Sequence, residues 1–210
     1  MNTLVPRGKE LAHVLRLLSS NPTQAQALVN RAVAIARARF VLRHCTLGRY
    51  VHVGDNVHCT AEGDLTIGER VQFFGGMLAS ELRCHAGARL TIGERSQFNY
   101  GFSIEAHQSV SIGRRCMIAS LVRISDSHRG NTAPVVIGDD VWIAHGAIIE
   151  PGVEIGAGSV VSAGSVVTTS VPPGHLALGN PARVVRLEAL GSVQLMPGPV
   201  PPASACATSR

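Results

Sequence analysis

A six-residue repeat runs through residues 137–172 and constrains the fold of this chain more than any other feature. The hexads read IGDDVW, IAHGAI, IEPGVE, IGAGSV, VSAGSV and VTTSVP, so the first position is always Ile or Val and the fifth is small or β-branched. A period of six fits neither an α-helix nor an alternating strand, but three hexads make one turn of a three-sided coil. The repeat therefore predicts a parallel β-solenoid whose first positions point inward and stack about 4.8 Å apart.

The same repeat extends towards the N-terminus in an interrupted form. The predicted first positions are Val41, Leu47, Val53, Cys59, Ile67, Phe73, Ala79, Ile92, Phe98, Ile104, Ile112, Ile118 and Ile124. The run of hexads is interrupted in two ways. Two additional residues separate some neighbouring hexads, and two seven-residue insertions occur at 85–91 and 130–136. About six coils should therefore stack. Insertions in a solenoid often carry the site, so we expect the 85–91 loop to border a pocket.

Four segments follow from these boundaries. Residues 1–40 should form an N-terminal helical cap with helices at 8–19 and 23–40, and residues 41–172 the solenoid. Residues 173–190 should form a C-terminal extension, with a strand and a short helix, and residues 191–210 a disordered tail rich in Gly, Pro, Ser and Ala. The predicted fold class is all-β. Because solenoid ends need covering, a cap is the main interpretation of the helices, and contact with a membrane surface or partner enzyme is the alternative.

Composition narrows the class of protein. The chain is 45% hydrophobic but only 4% aromatic, which suits the narrow interior of a solenoid. The net charge of +5 is spread along the chain, which argues against nucleic-acid binding and is compatible with an anionic ligand such as coenzyme phosphate. Five cysteines without a CxxC motif favour a reducing compartment, and the N-terminal residues lack the apolar core of a signal peptide. A cytoplasmic location is expected.

His128 is the main candidate for chemistry. In the predicted register it takes the fifth position of the hexad that begins at Ile124, where the best-ordered hexads keep small or β-branched residues. Positions that break a local rule are more often functional or strained. An imidazole is also the side chain best suited to accept a proton near neutral pH.

The run from Ser125 to Arg186 resembles the hexapeptide-repeat O-acetyltransferases, in the branch of maltose, galactoside and polysaccharide acetyltransferases. The matching pieces are SDSH, PVVIGDDVWIAHGAIIEPGVEIG, AGSVVTTSVPPG and GNPARVVR. The resemblance implies a left-handed parallel β-helix and a homotrimer with sites between subunits. It also implies acetyl-CoA as the acyl donor and a sugar or polysaccharide hydroxyl as the acceptor.

The resemblance assigns the acceptor side of the site. His128 matches the catalytic histidine, which acts as general base on the acceptor hydroxyl. Asn99 matches by position an asparagine that places the acceptor. Asp126 and Glu105 flank this region, and each is expected to orient His128, to bind a sugar hydroxyl or to face solvent.

The donor side is assigned in the same way. Trp142 matches a tryptophan beside the pantetheine arm. The backbone N–H groups of Ala144 and His145 would meet the thioester oxygen. The family usually has Gly and a small residue at these two positions, so the pocket differs here, and His145 is a second candidate base.

Five further residues match the coenzyme groove of this family. Ala163, Thr168 and Thr169 match positions that line the groove, and many relatives carry a lysine where this chain has Thr169. Arg183 and Arg186 match basic positions near the adenosine 3′-phosphate, where arginine is well suited to bind phosphate.

Three other functions compete with this interpretation. A γ-type carbonic anhydrase needs three histidines around zinc, but no histidine occurs within the sixteen residues after His128, so we expect no metal. A non-catalytic solenoid that acts as a scaffold or ligand-binding module is the second alternative. An N-acetyltransferase acting on an amino sugar or a serine-type acceptor is the third, because the same base would serve an amine.

Overall fold

The computed structural model describes residues 22–187, so the predicted helix at 8–19 and the predicted tail at 191–210 lie outside the described residues. One helix, α1 (Pro22–Val41), opens this part of the chain and confirms the helix predicted at 23–40. Short strands follow it in a repeating order. No helix within residues 22–187 combines the length and the hydropathy that crossing a bilayer would require.

The strands form three faces of a coil, because every third strand pairs in parallel with the equivalent strand of the next coil. Face 1 contains β1 (Thr46–Leu47), β4 (Asp64–Ile67), β7 (Arg89–Ile92), β10 (Ser109–Ile112), β15 (Val135–Ile137) and β18 (Glu154–Ile155). Face 2 contains β2 (His52–Val53), β5 (Gln72–Phe73), β8 (Gln97–Phe98), β11 (Met117–Ile118), β16 (Trp142–Ile143) and β19 (Val160–Val161). Face 3 contains β3 (Val57–Ala61), β6 (Ser80–Cys84), β9 (Ser103–Ala106), β12 (Arg123–Ser125), β17 (Ile148–Ile149) and β20 (Val166–Val167). The predicted parallel solenoid of about six coils is confirmed.

The first positions of the hexads form three inward columns, which are buried except at the half-buried Leu47 and Cys59 of the first coil. On face 1, for example, the paired residues run Leu47, Ile67, Ile92, Ile112, Ile137 and Ile155. The fifth positions of residues 137–172 are also buried, as a tight corner requires. The predicted inward positions are confirmed over this stretch.

The register is wrong at two predicted positions. Val41 is the last residue of α1, and on face 3 the residue that pairs with Cys59 and Ile104 is Leu82, not Ala79. The residues beyond the six of a hexad, which we predicted as one insertion after this hexad, lie partly before and partly after Leu82. They are therefore divided between two corners of the coil. The predicted 85–91 loop is therefore wrong, because Arg89–Ile92 forms β7.

Small residues at the second hexad position allow the coils to stack closely. Where face 1 ends, Gly113 lies against Gly138 of the next coil, and a Cβ built on Gly113 would come 2.5 Å from the carbonyl carbon of Gly138. A side chain on that glycine would force the backbones apart, because real Cβ atoms do not approach so closely. A large residue at the second position of a hexad is therefore tolerated only at a corner where its side chain can point outward, away from the neighbouring coils.

Helix α1 covers the first coil. Ala38 and Leu42, on and just after the helix, are buried in the core cluster, and the Arg31 Nε donates to His52 Nε2 on β2 at 3.3 Å. The cap is therefore the interpretation that the packing supports. A role in membrane or partner contact stays a prediction.

At the C-terminal end the parallel stacking continues past Pro172. Strand β21 (His175–Leu178) pairs in parallel with β19, so that Ala177 takes the inward place beside Val161. Strand β22 (Arg183–Arg186) then turns back and pairs with β21 in antiparallel fashion. The second half of the extension, where we predicted a short helix, is a strand up to Arg186.

The buried columns predict a sharp contrast between neighbouring substitutions. Ile143 is fully buried between Ile118 and Val161, so Ile143→Asp should lower the free energy of unfolding by at least about 3 kcal/mol, because an unpaired carboxylate would enter the core. Val136 is 41% exposed, and Val136→Asp should change it by no more than about 0.5 kcal/mol. Urea unfolding of both variants measures the difference. Equal stabilities would contradict the register.

Candidate active site

A cavity of about 160 Å³ opens where face 3 ends. Strands β9, β12 and β17 form its floor, and the hairpin of β13 (Ser127–His128) and β14 (Asn131–Thr132) forms its edge. The lining residues are Ser103, Glu105, Arg123, Ile124, Ser125, Ser127, His128, Ile148, Ile149 and Glu150. The cavity is therefore mostly polar, with a histidine and two carboxylates in its wall.

His128 and Glu150 form a pair in this cavity. The Nδ1 atom of His128 lies 2.5 Å from Oε2 of Glu150. Since an ionised carboxylate only accepts hydrogen bonds, the proton of this contact is on Nδ1, and in the neutral ring the lone pair is then on Nε2. About half of the His128 side chain is exposed, against a fifth of the Glu150 side chain. The arrangement presents a proton acceptor to solvent and holds it with a less exposed anion.

The reason that led to His128 from the sequence is wrong, although the residue lies in the cavity. The repeat leaves the coil after Asp126, and the next buried position of face 1 is Val135. His128 is on the hairpin between them and does not occupy the fifth position of a coil hexad. Its projection from the solenoid explains why a large polar side chain fits there.

Asp126 has other partners than those we predicted. Its carboxylate is buried and accepts hydrogen bonds from the backbone N–H groups of His107 (2.7 Å), Gln108 (2.7 Å) and Ser109 (2.6 Å). It therefore holds the turn of the preceding coil. The orienting contact expected from Asp126 or Glu105 is made by Glu150.

Glu150 is the site residue that sequence reasoning missed. It occupies the second position of its hexad, and the other second positions in residues 137–172 are Gly, Ala, Ser or Thr. A single charge in a column of small residues was the available signal. The structure shows why it is tolerated, because at this corner the side chain points towards His128.

A second polar group borders the same cavity. Oε1 of Glu105 lies 2.8 Å from Nε2 of His85 and 3.4 Å from Nε2 of His107. The two imidazole rings are stacked, with centroids 4.0 Å apart and planes inclined by 13°. The hydrogen bond from His85 lowers the pKa of Glu105, so this side chain is an anion at neutral pH.

The residues predicted for the donor lie elsewhere on the coil. Trp142 is on face 2, and Ala144 and His145 form the corner that leads from face 2 to face 3. The Ala144 N–H donates to the Val161 carbonyl at 2.9 Å, so it is used in coil stacking and the predicted contact with the thioester oxygen is wrong for this residue. The His145 N–H has no acceptor among residues 22–187, and its Nδ1 lies 2.8 Å from the Ser120 hydroxyl.

The remaining predicted residues lie at the two ends of face 3 and on β22. Asn99 and Ala163 lie at the corner before face 3, where the Asn99 side chain accepts a hydrogen bond from the Tyr100 N–H. Thr168 and Thr169 follow face 3, at the same end as His128. Arg183 and Arg186 are exposed on β22. One chain therefore does not bring Asn99, Trp142 or His145 into the cavity that contains His128.

Comparison with known proteins identifies the repeat. Residues 134–169 match the family described as Bacterial transferase hexapeptide (six repeats). The galactoside O-acetyltransferase of Escherichia coli (strain K12) is 38% identical over 99 residues, which are 42% of this chain and 49% of that protein. Relatives from Schizosaccharomyces pombe and Saccharomyces cerevisiae are 51% identical over 53 residues, about a quarter of their lengths. The chain thus carries the hexapeptide repeat of bacterial transferases and matches half or less of these relatives.

Solved structures match over a longer part of the chain. A hexapeptide-repeat-containing acetyltransferase of Vibrio cholerae O1 biovar eltor, complexed with acetyl coenzyme A, is 26% identical with a TM-score of 0.53, over 82% of this chain and 87% of that one. The polySia-specific acetyltransferase NeuO is 24% identical with a TM-score of 0.52, over 67% of this chain and 80% of that one, which shows a common fold. The predicted resemblance to hexapeptide-repeat acetyltransferases is confirmed.

The contacts of Asp126 predict a structural phenotype. Asp126→Asn should lower the free energy of unfolding by about 2 kcal/mol, because an amide cannot accept all three N–H groups and would place its NH₂ group, buried, against one of these donors. Asp64→Asn, at an exposed carboxylate 3.5 Å from Arg89, is the matched control and should have little effect. Urea unfolding distinguishes them. A fully stable Asp126→Asn variant that lost only activity would show that Asp126 acts on the substrate.

Proposed function

We propose that this protein is an acetyl-CoA-dependent O-acetyltransferase that acts on a hydroxyl of a sugar or of a polysaccharide or lipopolysaccharide precursor. The observation that carries the proposal is the pair of His128 and Glu150 in a polar cavity, with Nε2 available as a base. The Vibrio cholerae relative, whose structure contains acetyl-CoA, supports the choice of donor. Serine hydroxyls, Glu105 and Arg123 around the cavity offer the donors and acceptors that a carbohydrate requires.

We propose a direct transfer of the acetyl group from the thioester to the acceptor. The Nε2 atom of His128 removes the proton from the acceptor hydroxyl while its oxygen attacks the thioester carbon, and Glu150 stabilises the imidazolium that forms. The tetrahedral intermediate then collapses, the C–S bond breaks, and the imidazolium returns the proton to the departing thiolate. The products are an acetyl ester and free coenzyme A. The His145 N–H, which has no acceptor among residues 22–187, is our candidate donor to the oxyanion.

A homotrimer would complete the site. The His128 cavity of one chain is about 160 Å³, below the about 300–1,000 Å³ of a typical ligand pocket. Trp142, His145 and Ala163, which we propose for the donor, lie before face 3, whereas His128 lies after it. If the corner before face 3 of one subunit adjoins the cavity of its neighbour, the two halves meet at the boundary. We propose that Asn99 and the coenzyme groove act from that side.

The coenzyme would extend from this boundary along the last coils. Ala163 has only a methyl side chain at an exposed corner, which leaves room for the pantetheine arm. Thr168 and Thr169 are exposed at the next corner, directly after face 3, and Arg183 and Arg186 are exposed on β22. We propose that the two arginines bind the 3′-phosphate, since both side chains are exposed and a guanidinium group can bind phosphate through two N–H groups.

Substitution of His128 tests the proposal. His128→Ala should lower the rate of acetyl transfer by about 10²–10⁴-fold, the usual contribution of a general base, and should leave acetyl-CoA binding and the melting temperature unchanged. Coenzyme A release measured against a panel of mono- and oligosaccharides gives the rate. His58→Ala, at another exposed histidine on face 3, is the control. Full activity of His128→Ala would refute the mechanism.

A comparison of two substitutions at Glu150 separates orientation from charge. Glu150→Gln keeps an oxygen that can accept from Nδ1 but removes the negative charge, so it should lower kcat with little change in KM. Glu150→Ala removes both functions and should lower kcat further, towards the value for His128→Ala. Steady-state kinetics on the best acceptor of the panel measures both. Wild-type kcat in Glu150→Ala would show that the contact with His128 does not contribute to the reaction.

A further inference from the structure

The two histidines beside Glu105 occupy equivalent places in consecutive coils. Cys84 pairs with Ala106 across β6 and β9, and His85 and His107 each follow one member of that pair. Stacking of the coils therefore brings the imidazole rings together, as the 4.0 Å between their centroids shows. We call His85, Glu105 and His107 the His–Glu–His cluster.

The ligand atoms of this cluster have the spacing of a metal site. One ring nitrogen of each histidine and a carboxylate oxygen of Glu105 all lie within 4.8 Å of one another. An ion with bonds of about 2.0–2.1 Å in tetrahedral geometry has neighbouring ligand atoms about 3.3 Å apart. The observed separations between nitrogen and oxygen, 2.8 and 3.4 Å, lie on either side of that value.

The surroundings allow the small adjustment that binding needs. The stacked rings must turn apart for both nitrogens to point at one ion, and the torsion that turns a histidine ring is soft. The His85 and His107 side chains are each more than a third exposed, so part of each ring faces solvent and can turn towards it. The backbone beneath them is held, because Asp126 binds the His107 N–H and the His85 N–H donates to the Ala106 carbonyl.

We propose that the His–Glu–His cluster binds one divalent transition-metal ion, with both Nε2 atoms and the Glu105 carboxylate as ligands. Imidazole and carboxylate together suit zinc and its neighbours in the first transition row. Three protein ligands leave at least one coordination position open. Because Glu105 also lines the His128 cavity, the ion would lie at the edge of that cavity.

This inference differs from the expectation of no metal, and the register explains the difference. The predicted insertion at 85–91 placed His85 in a loop, so its proximity to His107 was not apparent from the sequence. The proposal does not depend on the transferase activity. A metal ion would bind to this cluster whether or not the cavity catalyses acetyl transfer.

The test uses the full chain without a polyhistidine tag, treated with a chelator and then titrated with Co²⁺. We expect one Co²⁺ per chain, with a visible absorption band that Zn²⁺ abolishes by displacement. His107→Ala and His85→Ala should each weaken binding by more than the about 10–100-fold that loss of an outer-shell partner costs. His58→Ala and His128→Ala, at histidines outside the cluster, should bind Co²⁺ as the wild type does.

Several results would overturn the proposal. One is the absence of Co²⁺ binding by wild-type protein that melts cooperatively. Another is unchanged binding in both cluster variants while they keep the wild-type melting temperature. A charge-transfer band from thiolate to cobalt would assign the ion to cysteines such as Cys45 and Cys59, whose sulfur atoms are 3.7 Å apart. Loss of binding in His128→Ala alone would assign it to the pair with Glu150.

Discussion

The stacking of one coil on the next is the constraint on which the rest of this structure depends. Each coil turns one residue inward from each face, and the equivalent residue of the next coil lies directly against it. Most of these residues are aliphatic, and Phe73 and Phe98 take the place on face 2 in two consecutive coils. Parallel backbone hydrogen bonds between the coils fix the spacing, so the interior admits Ile and Val readily and leaves little room for irregularity. Side chains with chemical function must therefore emerge at corners.

The corners are used differently along the chain. Glycine pairs such as Gly113 and Gly138 allow the backbones of neighbouring coils to approach closely at the end of face 1, because a side chain there would clash with backbone atoms. At the end of face 3 the chain departs from the coil, and the hairpin that contains His128 projects beside Glu150. The carboxylate of Asp126, buried where the chain leaves the coil, accepts hydrogen bonds from three backbone N–H groups and so ties this point to the preceding turn. The rigid stack thus positions a pair that local sequence alone could not hold.

Much of this architecture could be predicted from the sequence because the signal repeats. The hexads between 137 and 172 have no interruption, and their register is correct throughout. The predicted register is wrong at Ala79 because the coil has additional residues at the corners before and after Leu82. In the sequence, these two short additions look the same as one seven-residue insertion further along the chain. The same failure concealed the approach of His85 to His107. Glu150 was missed because contact between residues far apart in sequence depends on coil geometry.

The central claim is that this solenoid binds acetyl-CoA at a boundary between copies of the chain. Calorimetric titration of acetyl-CoA into the wild type and into Trp142→Ala, with the solution mass recorded for both, tests it most directly. The account predicts a trimer that binds one acetyl-CoA per chain, and a Trp142→Ala trimer that binds it more weakly. A folded trimer that does not bind acetyl-CoA would contradict the account and would favour a non-catalytic scaffold.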